Sequence, residues 1–139
     1  MAPTYKQWIL LPANDREPQL KSIEYPGTTY MNLETKKAIV LGPDREGQGW
    51  VVEHHIITPR MAGIEVPDSL AGYIMFWERL PSPNEALIRL TEGKSDRNLR
   101  GSILIGKILK EDHNGLADCD LDGDLEIVKQ YLKWFPGGN

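Results

Sequence analysis

Asp118, Asp120, Asp122 and Asp124 occupy alternate positions of the segment "ADCDLDGDLEIVK", residues 117–129, with Gly123 between the last two. Carboxylates spaced in this way form the first half of a divalent-cation loop. Such a loop takes oxygen ligands from positions 1, 3 and 5, turns on a glycine at 6, uses a backbone carbonyl at 7 and closes with a bidentate glutamate at 12. Gly123 sets the register, so Asp118, Asp120 and Asp122 become the ligands, Asp124 falls at position 7, and Glu126 is at position 9, able to serve directly or through a water. Position 12 is Lys129, which cannot ligate and adds a repelling charge. Calcium or magnesium is the ion such an incomplete site would take, and weakly.

Over residues 118–126 the segment resembles the calcium loops of the EF-hand and dockerin families, and the Asp-rich loops of propeller repeats. Those families build on paired helices or repeated blades, which are not read elsewhere in this chain, so the resemblance implies an ion site and carries over neither fold nor activity. The competing role is structural. A carboxylate ahead of a helix accepts hydrogen bonds from its free N–H groups and interacts favourably with the positive end of its dipole, by about 0.3–1 kcal/mol each. Asp122 or Asp124 as N-cap would do this without a metal, although four carboxylates within seven residues exceed what a cap needs. Contact with a basic surface is a third use for them.

Other chemistry is sparser. "EHHIITP" holds Glu53, His54 and His55, and His113 follows Asp112. On a strand, neighbouring histidines point to opposite faces and cannot share one zinc without a bulge. One histidine with Glu53 or Asp112 would make an acid/base pair if folding joined the segments. Cys119 has no C-x-x-C partner and lies among aspartates, whose field raises a thiol pKa and suppresses its nucleophilicity. No G-x-S-x-G elbow and no glycine-rich phosphate loop is present. "EGKSDRNLRG" sets Lys94, Arg97 and Arg100 in a polar loop, but a pI near 5.4 and the lack of interleaved aromatics argue against nucleic acid.

The elements that must position these residues are short. Prolines and glycines recur every few residues between runs rich in β-branched and aromatic side chains, the pattern of a sheet with tight connections. Strands are expected near Trp8–Leu11, Thr28–Asn32, Ala38–Leu41, Trp50–Thr58, Ala71–Glu78 and Ser102–Leu109. "SPNEALIRLTEG" predicts a helix with Ser82 as N-cap, Pro83 at its first position, Glu85 closing a capping box and Gly93 as stop, against a strand through Ala86–Leu90. A second helix over about Leu125–Phe135 sets Val128, Tyr131, Leu132 and Phe135 on one stripe before "PGG" ends it. The expectation is one α+β domain over residues 1–139: a mostly antiparallel sheet that could curl toward a barrel, one short helix and a C-terminal amphipathic helix.

Composition is that of an ordinary globular chain, 40% hydrophobic and 26% charged. Its 139 residues suffice to bury a core without a metal or disulfide. The lone cysteine and the lack of any long apolar run make a soluble cytoplasmic protein the simplest reading, with no membrane partner. The net charge of −4 is uneven: residues 111–126 hold seven of the 20 acidic side chains and no Lys or Arg, so 16 basic residues face 13 acidic ones elsewhere. "GYIMFWERL" would set Tyr73, Met75 and Trp77 on one face of a strand and Ile74 and Phe76 on the other. One face suits the C-terminal helix. The other needs a second layer or a partner, which brings homo-oligomerisation into view. The functional expectation is a non-catalytic domain that binds a protein or its own copies through Trp77, Tyr131, Trp134, Lys94, Arg97 and Arg100 and the acidic segment. The alternative is a Ca- or Mg-binding domain, or metal-dependent hydrolase, using Asp118, Asp120, Asp122, Asp124 and Glu126. No cofactor is required by the first reading.

Overall fold

The computed structural model describes residues 4–12, 17–25, 52–78, 84–94, 99, 101–110 and 117–134. Five strands, β1 (Thr4–Leu11), β2 (Gln19–Tyr25), β3 (Val52–Ile57), β4 (Leu70–Glu78) and β5 (Ile103–Leu109), form one open sheet in the order β2-β1-β5-β4-β3. Every pairing is antiparallel. A 3₁₀ turn, Pro59–Ala62, follows β3, helix α1 (Glu85–Leu90) lies between β4 and β5, and helix α2 (Gly123–Trp134) comes last. The α+β class expected from the pattern is the one observed, and among the described residues the sheet does not close into a barrel.

Four expected strands are present, with shifted ends. The strands expected at Thr28–Asn32 and Ala38–Leu41 lie outside the described residues. β2 was not anticipated. Residues 19–22 are all exposed, Leu20 included at 41%, so this edge strand is held by backbone pairing to β1 and carries little of the apolar alternation that marks a strand in sequence.

β5 is the hub of the sheet, flanked by β1 and β4, and its near-continuous apolar run "ILIGKIL" reflects burial on both faces. Side chains alternate as the sequence requires. Ile9, Leu11, Tyr73, Met75, Trp77, Ile103 and Ile105 join one cluster with Ala86 and Leu87 of α1 and Val128, Tyr131 and Leu132 of α2. Trp8, Ile74, Phe76, Leu104 and Ile108 form the second cluster. Trp8, Ile74 and Phe76 are no more than 1% exposed, so the centre of this face is buried, whereas Ile56, opposite Ile74 on β3, is 39% exposed.

Two glycines are required by close approach. A Cβ on Gly106 would lie 2.8 Å from the Trp8 ring, which covers this position of the central strand and stacks 6.0 Å from Phe76. A Cβ on Gly72 would fall on the Ile57 carbonyl oxygen, at the irregular step in the β4–β5 ladder.

The N-cap of α1 is Asn84, a correction to the expected Ser82; Ser82 and Pro83 lie outside the described residues. Asn84 is 1% exposed, and its Oδ1 accepts from Leu87 N at 2.8 Å. Its Nδ2 donates to Leu11 O at 2.7 Å and Gly101 O at 2.6 Å, so one side chain caps the helix and ties it to the end of β1 and the approach to β5. A hydroxyl could not reach all three partners. The expected stop holds, with Gly93 at φ 78° donating its N–H to Ile88 O.

Replacement of Gly106 by alanine is expected to destabilise the fold by about 1–3 kcal/mol through forced displacement of Trp8. Denaturant unfolding should show a lower midpoint at unchanged m-value; an unmoved midpoint would mean that Trp8 can withdraw freely.

Candidate functional site

The acidic segment is built into the sheet. β1 and β5 pair from Leu11↔Ile103 to Ile9↔Ile105, and the same register continued would pair Gln7 with Lys107. At that step residues 117–119 intervene instead. Ala117 N donates to Lys107 O, Cys119 N donates to Gln7 O, each at 2.9 Å, and Gln7 N donates to Asp118 Oδ1 at 2.8 Å. The strands separate, and the segment satisfies backbone groups on both. Asp118 here takes the place of a ladder carbonyl.

Asp120 and Asp124 lock the start of α2. Asp120 Oδ1 accepts from Gly123 N at 2.6 Å and, less closely, from Asp124 N at 3.4 Å. Partial burial opposes charge on this carboxyl, but the N–H groups of Gly123, Asp124 and Asp122 outweigh it and hold its pKa below the usual value. Asp120, rather than Asp122 or Asp124, therefore provides the carboxylate cap. Asp124 is 4% exposed and accepts from Tyr73 OH at 2.6 Å and Asp120 N at 2.9 Å, while Lys107 Nζ lies 3.3 Å from both its oxygens. Burial first, and then the bond to Asp124, raise the Tyr73 pKa far above that of an ordinary phenol.

Of the five residues expected to ligate a metal, three are thus engaged by N–H or O–H donors. Asp122 is exposed, and Glu126 turns to Lys129 at 2.9 Å and to Gln130. Among the described residues no three His, Cys, Asp or Glu side chains are grouped as a metal site would need. Cys119, next to the capping aspartate, is buried with its Sγ 3.6 Å from Ile105 O; desolvation, reinforced by the charge of Asp124, pushes the thiol up to about 12.

His54 and His55 take opposite faces of β3. The His54 ring lies 6.2 Å from Phe76 on one side; His55 Nε2 is 2.7 Å from Tyr131 OH on the other, with the two rings 5.8 Å apart. Glu53 pairs with Trp77 through the β3–β4 ladder, and Asp112 and His113 lie outside the described residues.

The aromatic and basic candidates divide. Trp77 and Tyr131, at 8% and 2% exposure, belong to the core and cannot form a contact surface, because the alternation that buries Tyr73 also buries Trp77 and the α2 stripe turns Tyr131 inward. The buried Trp77 Nε1 has no hydrogen-bond acceptor among the described residues. Trp134 is 48% exposed, one turn beyond Tyr131 with rings 5.5 Å apart. Lys94 is exposed at the turn after α1, and that turn meets α2: Lys133 Nζ bonds Glu92 Oε2 at 3.0 Å. The Lys133 bond leads the effects that hold the Glu92 carboxyl below its usual range, with Lys94 and Lys129 adding their fields. Three lysines therefore act on Glu92. Arg97 and Arg100 lie outside the described residues. In the sequence Lys129 stands out only as the residue at position 12 of the acidic loop, and Lys133 is not singled out. Met61, 76% exposed on the 3₁₀ turn that packs against α2, carries no sequence signal either.

Asp124→Ala should lower stability by about 3 kcal/mol, since it strands the Tyr73 hydroxyl, the Lys107 amine and the Asp120 N–H together. Asp122→Ala should stay within about 0.5 kcal/mol. Equal losses for both in urea melts would refute this division of roles. Cys119 is expected to react with iodoacetamide at near-neutral pH only on unfolding, so labelling of the native protein as fast as of the urea-unfolded chain would contradict its burial. No helix among the described residues is long and apolar enough to cross a membrane. No family model, curated protein or solved structure matches this chain.

Proposed function

We propose that this chain is a non-catalytic interaction domain that docks another protein on the surface around Trp134. The observation that carries this reading is the 48% exposure of Trp134 at the end of the helix whose Lys133 bonds Glu92. A half-exposed indole offers a large, rigid contact area at little entropic cost, and tryptophan is among the residues that most often dominate binding energy. The amines of Lys94, Lys129 and Lys133 would form its rim and steer an acidic partner. The partner chemistry that fits is an aromatic or aliphatic side chain flanked by Asp or Glu. A two-fold contact between copies would set these lysines against themselves, which favours a different protein over self-assembly.

Two features support the setting. A single thiol, Cys119, suits a reducing cytoplasmic compartment. The commitment of Asp118, Asp120 and Asp124 to backbone and side-chain donors favours this reading over a Ca- or Mg-dependent one.

Selection of random displayed peptides against the full chain should enrich acidic residues around an aromatic. Trp134→Ala should weaken the selected peptides about 30-fold, or roughly 2 kcal/mol, and Lys129→Glu with Lys133→Glu should weaken them further, while Leu20→Ala on β2 changes nothing. Enrichment of basic peptides, or binding indifferent to Trp134→Ala, would overturn the proposal. Light scattering that reports a dimer dissolved by Trp134→Ala would replace the partner with a second copy.

A further inference from the structure

The turn that closes α1 places a charged side chain on a backbone position made for glycine. Gly93 N donates to Ile88 O at 2.9 Å and Glu92 N to Arg89 O at 3.4 Å, the paired bonds of a Schellman closure. Glycine ordinarily fills the left-handed position of that closure, because a Cβ there crowds the chain. Here the position is Glu92, at φ 57°, which among the described residues is the one non-glycine with a positive φ. From it the carboxylate crosses to the last turn of α2, where Lys133 Nζ donates to Oε2 at 3.0 Å.

Stability does not account for a glutamate at this point. The Glu92 side chain is 67% exposed and that of Lys133 29%, and an ion pair so open to water contributes little to folding. α1 is held without it: Thr91 Oγ1 donates to Leu87 O at 2.8 Å, and Asn84 fastens the other end to Leu11 and Gly101. A glycine at this position would keep each of these bonds and remove the strain. Backbone strain retained where the fold does not need it belongs with what the surface does.

We propose that Glu92 is an internal competitor for Lys133: its carboxylate occupies the amine in the free protein and gives way only to a carboxylate brought by the partner. This deepens the reading of the Trp134 surface as a docking site and rests on it. Lys133 immediately precedes Trp134, so a segment that covers the indole comes within reach of the amine. Lys129 is held likewise, 2.9 Å from Glu126 Oε2, and both helix lysines thus start out paired. Exchange of one carboxylate for another gains little, so acidity alone does not secure binding; the partner must add an apolar side chain against the half-exposed Trp134. Glu92, the more exposed member of its pair, is the group that moves into solvent, and Lys133 stays. The pair therefore sets a threshold that excludes segments bearing charge without an apolar anchor.

NMR titration of the full chain with two capped peptides, Glu-Asp-Phe-Asp-Glu and its neutral counterpart Gln-Asn-Phe-Asn-Gln, tests this. Glu92→Gln should tighten the acidic peptide about threefold, the gain from freeing an amine that is otherwise mostly occupied, and leave the neutral one unchanged. Asp122→Asn, which removes the same charge about 16 Å away along α2, should change neither. Glu92→Gly should match Glu92→Gln in binding and unfold in urea at no lower a midpoint than the native chain. A lower midpoint would show the pair to be structural and overturn the proposal. An acidic peptide indifferent to Glu92→Gln, while Trp134→Ala weakens it, would remove the competitor and leave the docking surface standing. If neither peptide binds any variant, the docking reading fails, and iodide quenching of Trp134, taken as the difference from Trp134→Phe, decides whether Glu92 masks the amine. Glu92→Gln should then raise that quenching by about half at low salt, with quenching by neutral acrylamide unchanged, and no rise refutes the masking.

Discussion

A buried carboxylate holds the chain's separate pieces in one arrangement. Asp124 begins α2, yet its oxygens are bound by a tyrosine from β4, an amine from β5 and an N–H from the loop that precedes the helix. A charge taken out of water is costly unless every lone pair is met, so this group tolerates only geometries in which all three donors converge. That requirement specifies where α2 starts and which face of the sheet it covers. It also accounts for Lys107, the one charged residue in the apolar run of β5: its stem lies along the covered face and its amine reaches Asp124.

The rest of the acidic segment follows from a topological need. β1 and β5 are partners at one end and separate at the other, where unpaired backbone would otherwise be left between them. Residues 117–119 fill that separation with their own N–H groups and with the Asp118 carboxylate, and Asp120 then caps the helix that departs from it. Three of the four aspartates thus have distinct structural partners. The excess of negative charge in the sequence reflects three separate hydrogen-bonding tasks within a few residues rather than a single ligand shell.

The consequence for recognition is a shift from the acidic loop to the far end of the same helix. α2 carries aspartates at its start, where the dipole favours them, and Lys129 and Lys133 toward its end, where the dipole favours cations. Lys133 bonds Glu92 in the turn after α1, and Trp134, the next residue in the chain, is left half in solvent. The helix therefore has one end committed to the fold and one end with chemistry to spare.

Period and composition determined the α+β class, the central strands, both helices and the opposed faces of "GYIMFWERL", because alternation and the helical stripe are local properties that burial merely enforces. They also determined that His54 and His55 point apart. Other features needed the assembled molecule. Residues 19–22 of β2 are exposed and the strand is paired through its neighbour's backbone, so these residues carry little signal. Asn84 displaced Ser82 as cap because it alone must also reach Leu11 and Gly101, which are distant in sequence. Whether four aspartates converge or disperse depends on Gln7, Tyr73 and Lys107, residues 17 to 111 positions away from their partners. A linear pattern specifies which groups can accept hydrogen bonds; only the tertiary arrangement decides which donors are near enough to use them.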